Sequence, residues 1–249
     1  MSILLLGGTA EARRLAELLL ADDIPVVSSL AGEVVDLRLP PGEVRVGGFG
    51  GVPGLVAYLR GQGVGAVIDA THPFAQQMTR NAAAACAQVG VPLLRLSRPS
   101  WSTRADAPSW HWVDTIADAR RAAERLGDRI FLAIGRQSLG EFADGAGRPV
   151  LIRVVDPPDV EVPTTWEVLR ARGPFTLDDE LDLLASRGID VLVAKDSGGS
   201  TDAKLDAAAR LGVAVVMVRR PAVPSGIPVV PSVADAVGWV RDRASAGMG

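Results

Sequence analysis

The stretch ILLLGGTAEARRLAELL, residues 3–19, decides the fold. An apolar run at 3–6 stops at Gly7, Gly8 and Thr9. Leucines then recur at helical spacing, with Leu15, Leu18 and Leu19 on one face. The run reads as a buried strand and residues 10–20 as a helix. Glycines at such a turn let the backbone approach a pyrophosphate. The helix N-terminus beyond offers N–H groups and the positive end of a dipole. Thr9 either caps the helix or donates its hydroxyl to a phosphate. A full dinucleotide fingerprint carries a third glycine, which is missing here, so a tight turn plus cap is the competing reading.

The same alternation continues outward. Strands are expected at 24–28 (IPVVS), around Val44 (EVRVGG), at 65–69 (GAVID) and in VPLLRL. Between them lie a helix in GVPGLVAYLRGQG and one in PFAQQMTRNAAAACAQVG, with Pro73 near its first position. SRPSWSTRADAPSWHW, residues 97–112, mixes Pro, Ser and Trp and reads as a linker into a new strand. Alternation then resumes through RIFLAIG, PVLIRVV, IDVLVA and VAVVMV as strands. Helices are expected in TIADARRAAERLG, DDELDLLASRG, TDAKLDAAARLG and SVADAVGWVRDRA. The fold class expected is α/β, with two domains of mostly parallel sheet, 1–97 and 98–249.

Composition narrows the function. The 249 residues are 48% apolar and 22% charged, with a net charge of −3, which argues against a general nucleic-acid-binding face. One cysteine, Cys86, excludes an intrachain disulfide and a cysteine zinc cluster, and the two histidines are too few and too distant for a His-based metal motif. No metal is therefore expected. No run reaches the roughly 18–20 apolar residues of a membrane span. No basic segment precedes the first apolar run, so no signal peptide is expected, and the expected location is cytoplasmic.

In open parallel sheets, ligands bind at the carboxyl ends of strands. After the Gly7–Thr9 turn, the next such place is Ser28 and Ser29. NAD-specific sites commonly carry an acid there for the ribose hydroxyls. An acid would repel a 2′-phosphate, whereas hydroxyls can donate to one, so a dinucleotide here would be NADPH. Two serines opening a loop is the plainer alternative. In DATHPFA (69–75), Asp69 or Thr71 could cap the following helix. His72, held extended by Pro73, stands at the sheet's edge as a ligand contact or proton donor. Gly135 and Arg136 in AIGRQSLGEF suit a carboxylate or phosphate. AKDSGGS places Lys195, Asp196, Ser197, Gly198 and Gly199 in a possible anion nest. RARGPF, with Arg170 and Arg172, suits a polyanion or is an ordinary basic helix end. Trp101, Trp110, Trp112 and Trp166 would stack on a flat ligand or fill a domain interface. The P-loop motif and an evident Ser-His-Asp order are both absent.

LLLGGTAEA, DATHPFA, AIGR, RGPF and AKDSGG, in this order and spacing, resemble the precorrin-6A reductase family of cobalamin biosynthesis over nearly the whole chain. The resemblance implies two Rossmann-like domains with NADPH and a tetrapyrrole substrate in a cleft between them. It implies hydride transfer to a double bond of precorrin-6A, giving precorrin-6B. The implied cofactor set is Gly7, Gly8, Thr9, Glu11, Ser28, Ser29, Thr71, His72, Gly135, Arg136, Lys195, Asp196, Ser197, Gly198 and Gly199. Arg136, Arg172 and Lys195 would face the substrate's carboxylates. His72 would lie near the nicotinamide as proton donor or orienting group. No nucleic-acid or membrane partner is implied, and the chain would be a monomer or weak homo-oligomer. A methyl-donor-dependent transferase and a nucleotide-sensing binding protein are the competing readings; Ser28 and Ser29 argue against the first, and two complete α/β units against the second.

Overall fold

A computed structural model describes residues 1–32, 39–143 and 148–246. The strands are β1 (Ser2–Leu6), β2 (Val26–Leu30), β3 (Glu43–Val46), β4 (Val64–Asp69), β5 (Leu93–Leu96), β6 (His111–Val113), β7 (Ile130–Ala133), β8 (Val150–Val154), β9 (Trp166–Arg170), β10 (Val191–Lys195), β11 (Ala214–Val218) and β12 (Val229–Val230). The helices are α1 (Ala10–Ala21), α2 (Gly51–Gly61), α3 (Gln76–Val89), α4 (Ile116–Leu126), α5 (Leu139–Ala143), α6 (Leu177–Ser186), α7 (Ala203–Leu211) and α8 (Val233–Ala246). They form two compact units: Met1–Pro99 with Pro221–Gly249, and Ser100–Arg220.

Each unit holds a six-stranded sheet, ordered β12-β5-β4-β1-β2-β3 in the first and β6-β11-β10-β7-β8-β9 in the second. Every strand pairing among the described residues is parallel. Both orders are those of doubly wound sheets, whose strand direction of travel reverses between β1 and β4, and between β7 and β10. In the first unit, Ile3 and Leu5 pack under α1 and α8 with Leu15, Leu19 and Val240. Leu4 and Leu6 pack on the opposite face with Leu55 and Leu59 of α2 and Ala82 and Ala85 of α3. Because alternate residues of a strand point to opposite faces, a strand covered on both sides must be apolar throughout, and residues 3–6 are. Each fully buried leucine here contributes about 1.5–3 kcal/mol.

The domain boundary differs from the sequence expectation. Residues 221–249 belong with the first unit, where β12 pairs with β5 and α8 packs on α1. The edge strand of the second unit, β6, is the new strand expected at the end of the 97–112 segment, whose earlier residues read as a linker. From Ser100 onward that segment sends side chains into the core: Trp101, Ala107 and Trp110 are buried with Phe131, Leu192 and Met217, and Trp112 packs on them. Trp166 meets Phe142 edge-on at 6.3 Å. These tryptophans therefore build the second unit's interior. Pro-, Ser- and Trp-rich composition suggested a linker because two short 3₁₀ turns, residues 101–103 and 107–109, leave no helical or strand period to read.

Candidate active site

At the reversal point of the first sheet, Thr9 caps α1, accepting from the Ala12 N–H at 3.1 Å, and its hydroxyl donates to the Ala70 carbonyl at 2.8 Å. That hydroxyl therefore ties the turn after β1 to the end of β4 and is not aimed at a phosphate. Gly7 donates its N–H to Ser29 O at 2.9 Å. Gly8 has φ +108°, and a Cβ there would meet nothing within 4 Å. Only a glycine holds this conformation cheaply, and the space above it is open to a ligand. Glu11, in the first turn of α1, accepts from Arg98 Nη1 on both carboxylate oxygens, at 3.0 Å each. Thr9, Glu11, Ala70, Thr71, Ser97 and Arg98 line a shallow pocket over the ends of β1, β4 and β5.

The DATHPF loop is held by a buried ion pair. Asp69 and Arg95 meet at 2.6 Å. The Asp69 carboxylate also accepts from the Thr71 N–H (3.1 Å), the Thr71 hydroxyl (2.7 Å) and the Thr79 hydroxyl (2.6 Å). Arg95 Nη2 donates to the Thr71 carbonyl at 3.1 Å. Asp69 and Thr71 thus fix the loop and do not cap α3, whose N-cap is Ala75 without a side-chain bond. Pro73 lies before the helix, in a turn closed by the Ala75 N–H on the His72 carbonyl at 2.8 Å. His72 is exposed, and its Nδ1 accepts from the Phe74 N–H at 3.3 Å, which puts the neutral ring's proton on Nε2.

Ser28 and Ser29 are not in a loop. They lie inside β2, 1% and 7% exposed. The Ser28 hydroxyl is buried and has no hydrogen-bond partner among the described residues. The Ser29 hydroxyl accepts from Arg45 Nη1 at 2.9 Å. Sequence reasoning passed over Arg45, Arg95 and Arg98. The signals were present: an arginine inside the apolar LLRL, another ahead of the glycine-rich GGFGG, and a third just after β5.

The corresponding point of the second unit gathers the other expected residues. Gly135, at φ +77°, opens a 3₁₀ turn, and Arg136 pairs with Asp159 at 3.0 Å. Lys195 ends β10 and donates to the Ser138 hydroxyl at 2.7 Å. Burial holds its ammonium below the ordinary lysine value, partly offset by the charge of Glu141. Asp196 is a structural anchor. Its oxygens accept from the Ser100 hydroxyl (2.7 Å), the Trp101 N–H (2.9 Å) and Arg220 (3.0 and 3.2 Å). Ser197 donates its N–H to the Lys195 carbonyl at 2.6 Å, and the Gly199 carbonyl accepts from the Trp101 indole at 3.1 Å. Gly198 and Gly199 have φ +66° and +79°. Arg170 ends strand β9, correcting the helix-end reading. Arg172, just beyond, is exposed and has no ion pair among the described residues.

Other chemistries have less support. Cys86 is buried and its thiol is pushed up to about 12, chiefly by burial and then by the Asp69 charge, so it stays protonated. Among the described residues there is no metal-ligating cluster and no helix long and apolar enough to cross a membrane.

Comparison with known proteins bears on this arrangement directly. Residues 2–241 match the family model described as precorrin-6x reductase CbiJ/CobK. A precorrin-6A reductase of Rhodococcus erythropolis is 53% identical over 242 residues, covering 96% of each chain. A cobalt-precorrin-6A reductase of Priestia megaterium is 29% identical, covering 90% of this chain and 92% of its own. The solved structure of a CobK precorrin-6A reductase superposes with a TM-score of 0.89 at 43% identity, covering 97% of this chain and 96% of the other. With the sheet order, the glycine turn and this match agreeing, the chain belongs to the precorrin-6x reductase CbiJ/CobK family.

Proposed function

We propose that this chain reduces one double bond of the precorrin-6A macrocycle with NADPH, giving precorrin-6B in cobalamin biosynthesis. The observation that carries this reading is the family match over residues 2–241, joined to an open glycine turn at the reversal point of the first sheet. The cobalt-free substrate is favoured by identity: relatives named precorrin-6A reductase reach 44–53%, those named for cobalt-precorrin-6A 28–29%.

When bound, NADPH supplies a hydride. The macrocycle is a conjugated electron sink, so the protein's share is orientation and exclusion of water. Gly7 and Gly8 would receive the pyrophosphate, beside the α1 N-terminus. Thr9 and Gly7 act by rigidity, since each is bonded to a neighbouring strand. The Asp69–Arg95 pair fixes Thr71 and the loop that carries His72. The neutral His72 ring offers its Nε2–H as a hydrogen-bond donor, and only its imidazolium form would give up a proton to the reduced ring. Lys195, Arg136 and Arg172 supply cationic ends for peripheral carboxylates.

The test is nicotinamide fluorescence on titration with NADPH, with NADH and S-adenosylmethionine as controls, followed by turnover of precorrin-6A. Selective NADPH binding with turnover is expected. Binding of neither dinucleotide, with or without the tetrapyrrole, would sink the reading.

A further inference from the structure

We propose that Arg45 selects the phosphorylated dinucleotide by taking the adenosine 2′-phosphate on one edge of its guanidinium; the proposal rests on the reductase reading above. In doubly wound sheets the adenine ribose lies beyond the carboxyl end of the second strand. Here that end is Ser29 and Leu30, and Arg45 of β3 is the register partner of Ser29.

The guanidinium is pinned in place. Nη1 donates to Ser29 Oγ and to the Gly47 carbonyl, both at 2.9 Å, and Nη2 donates to the Gly48 carbonyl at 3.0 Å. Its plane is backed by the Phe49 ring at 3.8 Å. All three acceptors are neutral, and no carboxylate pairs with Arg45 among the described residues, unlike Arg95, Arg98 and Arg153. An arginine has five N–H donors. Three are used by these bonds, which leaves Nε–H and the second Nη2–H. Those two lie side by side and form the fork that matches two oxygens of a phosphate. Beside it, the turn is glycine: a Cβ at Gly47 or Gly48 would meet nothing within 4 Å, so a phosphate has room to approach.

The plain alternative is that Arg45 only ties the 47–48 turn to β2. A tie acts on both dinucleotides alike, whereas a phosphate fork acts on one. Kd values for NADPH and NADH are measured by fluorescence on wild type, Arg45→Ala and Arg45→Lys. Adenosine 2′,5′-bisphosphate and 5′-AMP serve as competitors. Losing one charge-assisted fork should weaken NADPH about 30-fold in Arg45→Ala, with NADH changed by less than about threefold. Arg45→Lys, which keeps charge but loses the fork, should fall between. The preference for the bisphosphate over 5′-AMP should vanish with Arg45→Ala. Parallel loss of NADPH and NADH, unchanged NADPH affinity, or an Arg45→Ala protein that still prefers the bisphosphate overturns the assignment alone. A wild type that binds neither dinucleotide overturns the reductase reading as well.

Discussion

Asp69 and Arg95 are register partners on adjacent strands and form an ion pair at 2.6 Å, with side chains 1% and 3% exposed. Breaking one half of a buried pair strands the other charge, which costs about 3–5 kcal/mol. Arg95→Met should therefore lower unfolding free energy by about that amount in urea titration. Asp69→Asn with Arg95→Met should be milder than Arg95→Met alone. A single-variant cost below about 1 kcal/mol would show that the pair does not hold the loop.

Gly8→Ala tests the turn. Its φ of +108° strains any side chain, and the added methyl enters the open space over the turn. We expect a stability loss of about 1–3 kcal/mol. Binding should suffer more, with NADPH affinity down at least about tenfold. Unaltered titration would place the pyrophosphate elsewhere.

Lys195 gives a pH signature. Its folded value is lowered by burial, so between that value and the ordinary one the unfolded chain binds more protons. Stability then rises with pH as the medium approaches pH 10.5, and the penalty for burying the charge is greatest at lower pH. Urea unfolding at pH 7 and pH 9.5 should show this rise in wild type and a smaller one in Lys195→Met. Equal slopes would contradict it.

His72→Ala separates donor from bystander. Loss of a general acid should reduce turnover at saturating cofactor by about 100-fold or more. Near-normal turnover would assign the proton to water.

Asp196 holds Ser100 and Arg220, the first and last residues of the second unit, on one carboxylate. Asp196→Ala should lower the thermal midpoint and speed proteolysis at both unit junctions, about residues 99–100 and 220–221. Cleavage unchanged at both would mean that neighbouring contacts suffice.

Some of this was written in local sequence. Residues 3–19 specify strand, turn and capped helix because each signal lies within one turn of its partner: Thr9 reaches Ala12, and Leu15 and Leu19 share a face. The loops after strands were legible for the same reason, since Gly8, Gly135 and Gly198 announce backbone conformations that few other residues adopt. Parallel sheets followed from the alternation of apolar runs and helices.

What only the tertiary structure decided depends on partners far apart in the chain. Asp196 looked like a ligand group until Ser100 and Arg220 arrived from 96 and 24 residues away. Ser28 and Ser29 are expected at the end of the second strand, and the register with β1 and β3 carries that strand on through Leu30, so both lie inside it. The return of 221–249 to the first unit is set by β12 finding the edge of β5, a pairing of two residues too short to leave a period. Local chemistry fixes φ, ψ and capping within a few residues. Which carboxylate meets which guanidinium, and which strand completes which sheet, is settled when burial makes an unpaired charge or edge too costly to leave.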